Sequence, residues 1–195
     1  MKVVVLHGSA RVGGDTDTLA EQFLLGLDQT GPHEITHFRP IEMHIEHCRA
    51  CMSCADGSGC IIDDAMQDVY PAFCDADLVV MATPMFWGYM TSQLKTLFDR
   101  LEAVVSERCF GGKDFVLLIG YRQYFGSMVA WLDRIAGLSS SQALPSRCRR
   151  STRTRGWTSQ PFSNPSVSLK PRSWVAGLRQ QEPEIPRLGD PPRFG

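Results

Sequence analysis

The chain has 195 residues, 43% of them hydrophobic, and a net charge of −1; this suits one globular domain and excludes a membrane span, since no stretch nears the roughly 18 apolar residues that a bilayer requires. The charge is unevenly placed: residues 1–137 carry 10 basic against 18 acidic side chains, whereas residues 138–195 carry 10 against 3. An odd count of seven cysteines, and an N-terminal apolar run that stops at His7, argue against a disulfide framework and export and place the chain in the cytoplasm.

The run Lys2–Leu6, KVVVL, reads as a strand buried on both faces of a parallel sheet. After the loop GSARVGGDT, residues Leu19, Ala20, Phe23, Leu24 and Leu27 recur at helical spacing, with Thr18 and Glu21 as a capping box. A second strand follows at 34–38, EITHF, and then a long connection holding four cysteines. Asp63 and Asp64 open a helix through Met66, Val69, Tyr70 and Phe73, which Pro71 is expected to kink or restart. A third strand at 78–82 ends in TPMFWGYM, and the next helix carries Leu94, Leu97, Phe98, Leu101 and Val104 behind a Thr91 or Ser92 cap. A fourth strand at 115–119 and a shorter helix through Met128, Leu132 and Ile135 complete the alternation. Strands alternating with helices predict an α/β, doubly wound parallel sheet over residues 1–137. Beyond Gly137 the chain turns basic and rich in Ser, Arg and Pro; this reads either as a disordered tail or as a change of reading frame.

In such a sheet, ligands bind beyond the carboxyl ends of the strands. The loop at 8–16 lacks both GxGxxG and the P-loop pattern, but Ser9, Arg11 and Thr16, turning glycines and a helix N-terminus can hold a phosphate monoester. A tight strand-helix turn is the bland alternative. In ATPMFWGYM, Phe86, Trp87 and Tyr89 crowd Gly88, where a planar ligand can approach the backbone; the alternative is aromatic core at the sheet edge.

These two loops, the cysteine run HCRACMSCADGSGC and the stretch DDAMQDVYPAFCDADLVVMATPMFWGYMTSQLKTLFDR together resemble the NAD(P)H-dependent FMN reductase family, especially its iron-sulfur flavoprotein branch, over roughly residues 1–122. The resemblance implies a flavodoxin-like fold of strand order 2-1-3-4-5 and an FMN-dependent oxidoreductase that moves electrons from NAD(P)H through flavin to a small-molecule or protein acceptor. It assigns the FMN phosphate to Ser9, Arg11 and Thr16, with Asp15 standing where asparagine is usual, and the flavin ring to Pro84, Met85, Phe86, Trp87 and Gly88. It also implies self-association into a homo-oligomer. The family's fifth strand and last helix are not evident, apart from a weak SWVAGL at 173–178, so strand four is expected to be an exposed edge.

The spacing through Cys48, Cys51, Cys54 and Cys60 is C-x2-C-x2-C-x5-C, too compressed for a zinc ribbon and close to the ferredoxin run without matching it. The resemblance makes these four the ligands of one 4Fe-4S cluster, against the alternative of bare or redox-active thiols. His44 and His47 are nearby alternative ligands, and Cys74, Cys109 and Cys148 read as isolated small hydrophobes. Two rival functions remain: an electron carrier without nicotinamide activity, and salt-dependent nucleic-acid binding by the basic tail, which composition alone disfavours.

Overall fold

The computed structural model describes residues 1–122, 125–142 and 173–179. Five parallel strands lie in the order β2-β1-β3-β4-β5, with β1 at Lys2–His7, β2 at Glu34–Phe38, β3 at Leu78–Pro84, β4 at Asp114–Tyr121 and β5 at Ser173–Arg179. The β-branched runs of β1, β3 and β4 take the central places, where both faces are covered. Helix α1 (Asp15–Asp28) covers one face, over Val3, Val5, Leu78, Val80, Val116 and Leu118. Helices α2 (Met66–Asp75), α3 (Ser92–Arg100) and α4 (Gly126–Gln142) cover the other, where Phe73, Leu94, Leu97 and Phe115 are wholly buried at about 1.5–3 kcal/mol each. Among the described residues, no helix is long and apolar enough to cross a membrane.

Four expectations are corrected. Strand β4 is no edge: Phe115–Tyr121 pairs in register with Ser173–Arg179, so the one segment that hinted at a fifth strand supplies it. The family's last helix, Cys148 and most of the basic tail lie outside the described residues. Helix α1 begins at Asp15 behind an N-cap at Gly14 with no side-chain cap, a turn earlier than a Thr18–Glu21 box places it. Pro71 does not restart α2, which runs through it from Met66 to Asp75. Cys74 and Cys109 do not stand alone but form a disulfide. Helix α4 runs on past Gly137 to Gln142, and its Ser139 hydroxyl donates to Lys113 O at 2.8 Å.

Candidate functional site

Gly8, at the end of β1, joins the two loops singled out by sequence. Its N–H donates to Ala82 O at 2.7 Å and its carbonyl accepts from Thr91 Oγ1 at 2.7 Å. A Cβ there would meet Thr83 Oγ1 at 2.7 Å and Thr83 Cβ at 2.8 Å, so glycine is required by close approach to β3. The first loop is folded on itself: Ser9 Oγ accepts from Arg11 N and donates to Arg11 O, each at 3.0 Å. Ser9 and Thr16 are buried beneath the N-terminus of α1, while the Arg11 and Asp15 side chains are exposed.

This loop is held from below by Asp17, which sequence reading passed over. Its carboxylate accepts from Gly13 N at 2.9 Å and Arg39 Nη2 at 2.8 Å and pairs with His7 Nδ1 at 2.8 Å. Arg39 Nη1 also donates to Ser9 O at 3.3 Å, and His7 Nε2 meets His37 Nδ1 at 3.0 Å. Burial pushes the Asp17 carboxyl up, but hydrogen bonds from His7, Arg39 and Gly13 outweigh it and hold it below the usual carboxylate range. Burial, with the neighbouring charges of His7 and Arg39, keeps the His37 ring below its ordinary value.

The second loop is a hairpin tip. Phe86 and Tyr89 exchange backbone hydrogen bonds at 2.9 and 3.1 Å, and the two residues between them, Trp87 and Gly88, have φ of 51° and 76°. Positive φ at both central positions is the type I′ turn that hairpins favour, here with a tryptophan carrying the strain. Phe86 and Trp87 are exposed, at 54% and 105%, so they are not core aromatics. Met85 N donates to Gly120 O at 2.8 Å, and Ser127 Oγ donates to Gly88 O, fixing the tip against β4 and α4.

The cysteine loop packs beside α3: His47 Nδ1 lies 3.1 Å from Thr96 Oγ1, one to two helical turns from Thr91, where the hairpin ends. Ala50 and Met52, flanking Cys51, hold left-handed backbone at φ of 50° and 61°. Cys48 and Cys51 are exposed, Cys54 and Cys60 half-buried. Cys54 is pushed up first by burial and then by Cys60, Cys48 and Cys51. Hydrogen bonds from Ser53, with the Arg49 charge, lower the Cys51 thiol. A single tetrahedral ion bonded at about 2.3 Å requires sulfurs about 3.8 Å apart. Among the described residues, the three-residue group drawn within 4.8 Å is Cys74, Glu107 and Cys109, two of which form the disulfide. Among the described residues, no three of the loop thiols lie within 4.8 Å of one another, and four thiolates are the donor set that a cluster of irons and sulfides takes.

A family model for NADPH-dependent FMN reductases matches residues 1–147. The chain belongs to this family. Within it, the chain is 34% identical over 100 residues to an iron-sulfur flavoprotein of Methanosarcina thermophila, covering 51% of this chain and 52% of that protein. It is 36% identical over 108 residues to an iron-sulfur flavoprotein of Methanocaldococcus jannaschii, covering 55% and 54%. The chain thus spans about half the length of the curated relatives it matches. Its fold is also that of an FMN-dependent NADH-azoreductase from Bacillus anthracis solved with FMN, at a TM-score of 0.56 and 11% identity over 73% of this chain and 84% of that one.

For a member of the FMN reductase family, the residues missed by sequence reading are polar groups beneath the loops: His7, Asp17, Arg39, Thr83, Thr91 and Arg100. Two acidic residues in the first turn of α1 were the available signal for Asp17. Nothing local marks the roles of Arg39 and Arg100, whose buried partners Asp17 and Asp64 are 22 and 36 residues away.

Proposed function

We propose that this chain is an FMN-dependent oxidoreductase working between NAD(P)H and an electron acceptor, with FMN lying across the carboxyl ends of β1 and β3 and a 4Fe-4S cluster held by Cys48, Cys51, Cys54 and Cys60. The observation that supports this reading is Gly8, whose contacts to Ala82, Thr83 and Thr91 tie the loop before the N-terminus of α1 to the exposed aromatic hairpin after β3. FMN supplies two-electron chemistry when bound, and a cluster supplies a one-electron outlet.

The chain's own residues bind and orient. Thr16, the Arg11 guanidinium and the first amides of α1 take the phosphate, while Ser9 shapes the turn through its two bonds to Arg11. Pro84, Met85 and Gly88 leave a flat backbone edge for the ring, and Phe86 and Trp87 offer faces to stack on. No side chain is required to move a proton at a reacting carbon.

The test is the ultraviolet-visible spectrum of protein purified without oxygen, with iron and acid-labile sulfide content, followed by steady-state oxidation of NADH and NADPH. Flavin bands with a broad iron-sulfur shoulder and turnover are expected. Flavin without iron reduces the cysteine loop to thiols, flavin without turnover leaves an electron carrier, and protein that stays colourless with added FMN overturns the reading.

A further inference from the structure

Arg100, at the last residue of α3, is only 2% exposed. Its Nη1 donates to Glu46 O at 2.8 Å and Asp64 Oδ2 at 2.6 Å, and its Nη2 to Asp64 Oδ1 at 3.2 Å and Ile62 O at 3.4 Å. Glu46 stands two residues before Cys48, and Ile62 and Asp64 stand two and four residues after Cys60. One guanidinium therefore joins the two ends of the cysteine loop. Asp64 strengthens the join by accepting from Glu46 N at 2.8 Å and Met66 N at 3.0 Å.

The fifth donor is left over. Arg100 Nε is buried and has no hydrogen-bond partner. Buried donors in folded proteins are nearly always paired, and an unpaired one is costly, so an orphan inside an otherwise satisfied cluster points to an acceptor that belongs there. Cys60 is half-buried two residues before Ile62, whose carbonyl Arg100 Nη2 reaches, and the Tyr70 hydroxyl donates to Arg100 O at 3.2 Å. A neutral thiol is a weak acceptor, whereas a thiolate bound to iron, or a cluster sulfide beside it, is anionic.

We propose that Arg100 is the positioning residue of the cysteine loop, clamping its ends through Glu46, Ile62 and Asp64 and giving its Nε–H to the anionic sulfur of a cluster ligated at Cys60. This rests on the cluster reading given above. A guanidinium keeps its charge at every working pH, and its five donors lie in a rigid fork. A fixed positive charge and a hydrogen bond to sulfur favour the more negative, reduced state of a cluster, so Arg100 raises the potential as well as holding the loop shut. Lysine preserves the charge but supplies neither the fork nor the Nε donor.

The full chain, reconstituted without oxygen with ferrous iron and sulfide, is compared with Arg100→Lys and Tyr70→Phe. Iron and labile sulfide per chain, the rate of iron loss to a ferrous chelator, the cluster midpoint potential from an electron-paramagnetic-resonance titration, and FMN per chain are measured. Arg100→Lys is expected to lose iron about 10-fold faster, as disturbed outer contacts of a metal site do, with a lowered midpoint potential and wild-type FMN content. Tyr70→Phe keeps the ring and removes the hydroxyl bond to Arg100 O, so it loosens the seating of Arg100 with the guanidinium intact and serves if the lysine variant fails to fold; it is expected to shift both readouts in the same direction by less. Folded variants with the wild-type potential and rate of iron loss overturn the proposal alone. A wild-type chain that takes up no iron overturns the cluster reading and this proposal with it.

Discussion

The two ends of the sheet are closed by different means. At the amino ends of the strands, the Cys74–Cys109 disulfide ties the end of α2 to the approach to β4. The buried Lys113 ammonium donates to Cys74 O and Ala76 O at 2.6 Å each, and Lys2 Nζ reaches Asp75 at 2.8 Å. At the carboxyl ends the ties are hydrogen bonds among loops, centred on Gly8 and Asp17, and the left-handed residues Ala50, Met52 and Trp87 stand in loops that leave this end. One end holds the fold together with a covalent link and an ammonium among carbonyls. The other gathers three of the four left-handed non-glycine residues among the described residues, Arg108 beside Cys109 being the fourth, together with exposed aromatics, as a binding surface does.

If this contrast is right, damage at the amino end should cost stability and spare cofactor binding. The largest effect is expected from Cys74→Ser with Cys109→Ser. Closing a loop of sequence separation 35 contributes about 4 kcal/mol by chain entropy, read as a lowered urea midpoint, with FMN affinity of the folded protein unchanged. Weakened FMN binding at low urea would break the contrast.

Asp17→Asn is next, at about 3 kcal/mol, because Arg39 loses a buried counter-charge and the shared carboxylate contacts to His7 and Gly13 are weakened at once. Its pH signature has a definite sign. The folded carboxyl lies below the unfolded value of about 3.9, so its stabilisation is present above that pH and is lost as pH falls through the folded value. His37, lowered in the folded state, acts in the same direction, since below pH ~6.5 the unfolded ring takes its proton first. Melting temperature against pH should therefore fall on the acid side in wild type, and Asp17→Asn should flatten the limb below about pH 4.

Gly8→Ala sharpens the contrast from the other end. The added methyl at 2.7 Å from Thr83 Oγ1 is expected to cost about 1–3 kcal/mol and to part the two loops, so FMN binding, followed by flavin fluorescence quenching, weakens about 10-fold or more. The smallest effect is expected from Lys95→Ala, which removes an exposed i,i+4 pair with Asp99 and should change stability by about 0.5 kcal/mol or less in denaturant titration.

The elements themselves were readable because β1, β3 and β4 are apolar runs and the helices carry apolar residues at helical spacing. What sequence misplaced was decided at long range. Asp17 draws in Gly13 N–H and Arg39 and starts α1 before the local capping signal at Thr18. Cys74 and Cys109 looked isolated because their meeting depends on β3 and β4 lying side by side. Strand β5 was faint because SWVAGLR is short and follows a long polar stretch, and its register comes from β4. In the candidate site, the cysteines and the two loops stood out by composition, whereas the groups that hold them are single charged residues whose partners are far along the chain.

Gly8 also makes the site a ruler. Its two backbone groups bind the hairpin side of the site directly, and adjacent strands are fixed about 4.8 Å apart, so neither loop can drift from the other without breaking the sheet's edge bonds. The span from the turn at 8–16 to the aromatic tip is therefore set by the backbone and not by flexible side chains. A ligand whose charged end and flat end are joined by a linker of another length can satisfy one loop or the other, but not both.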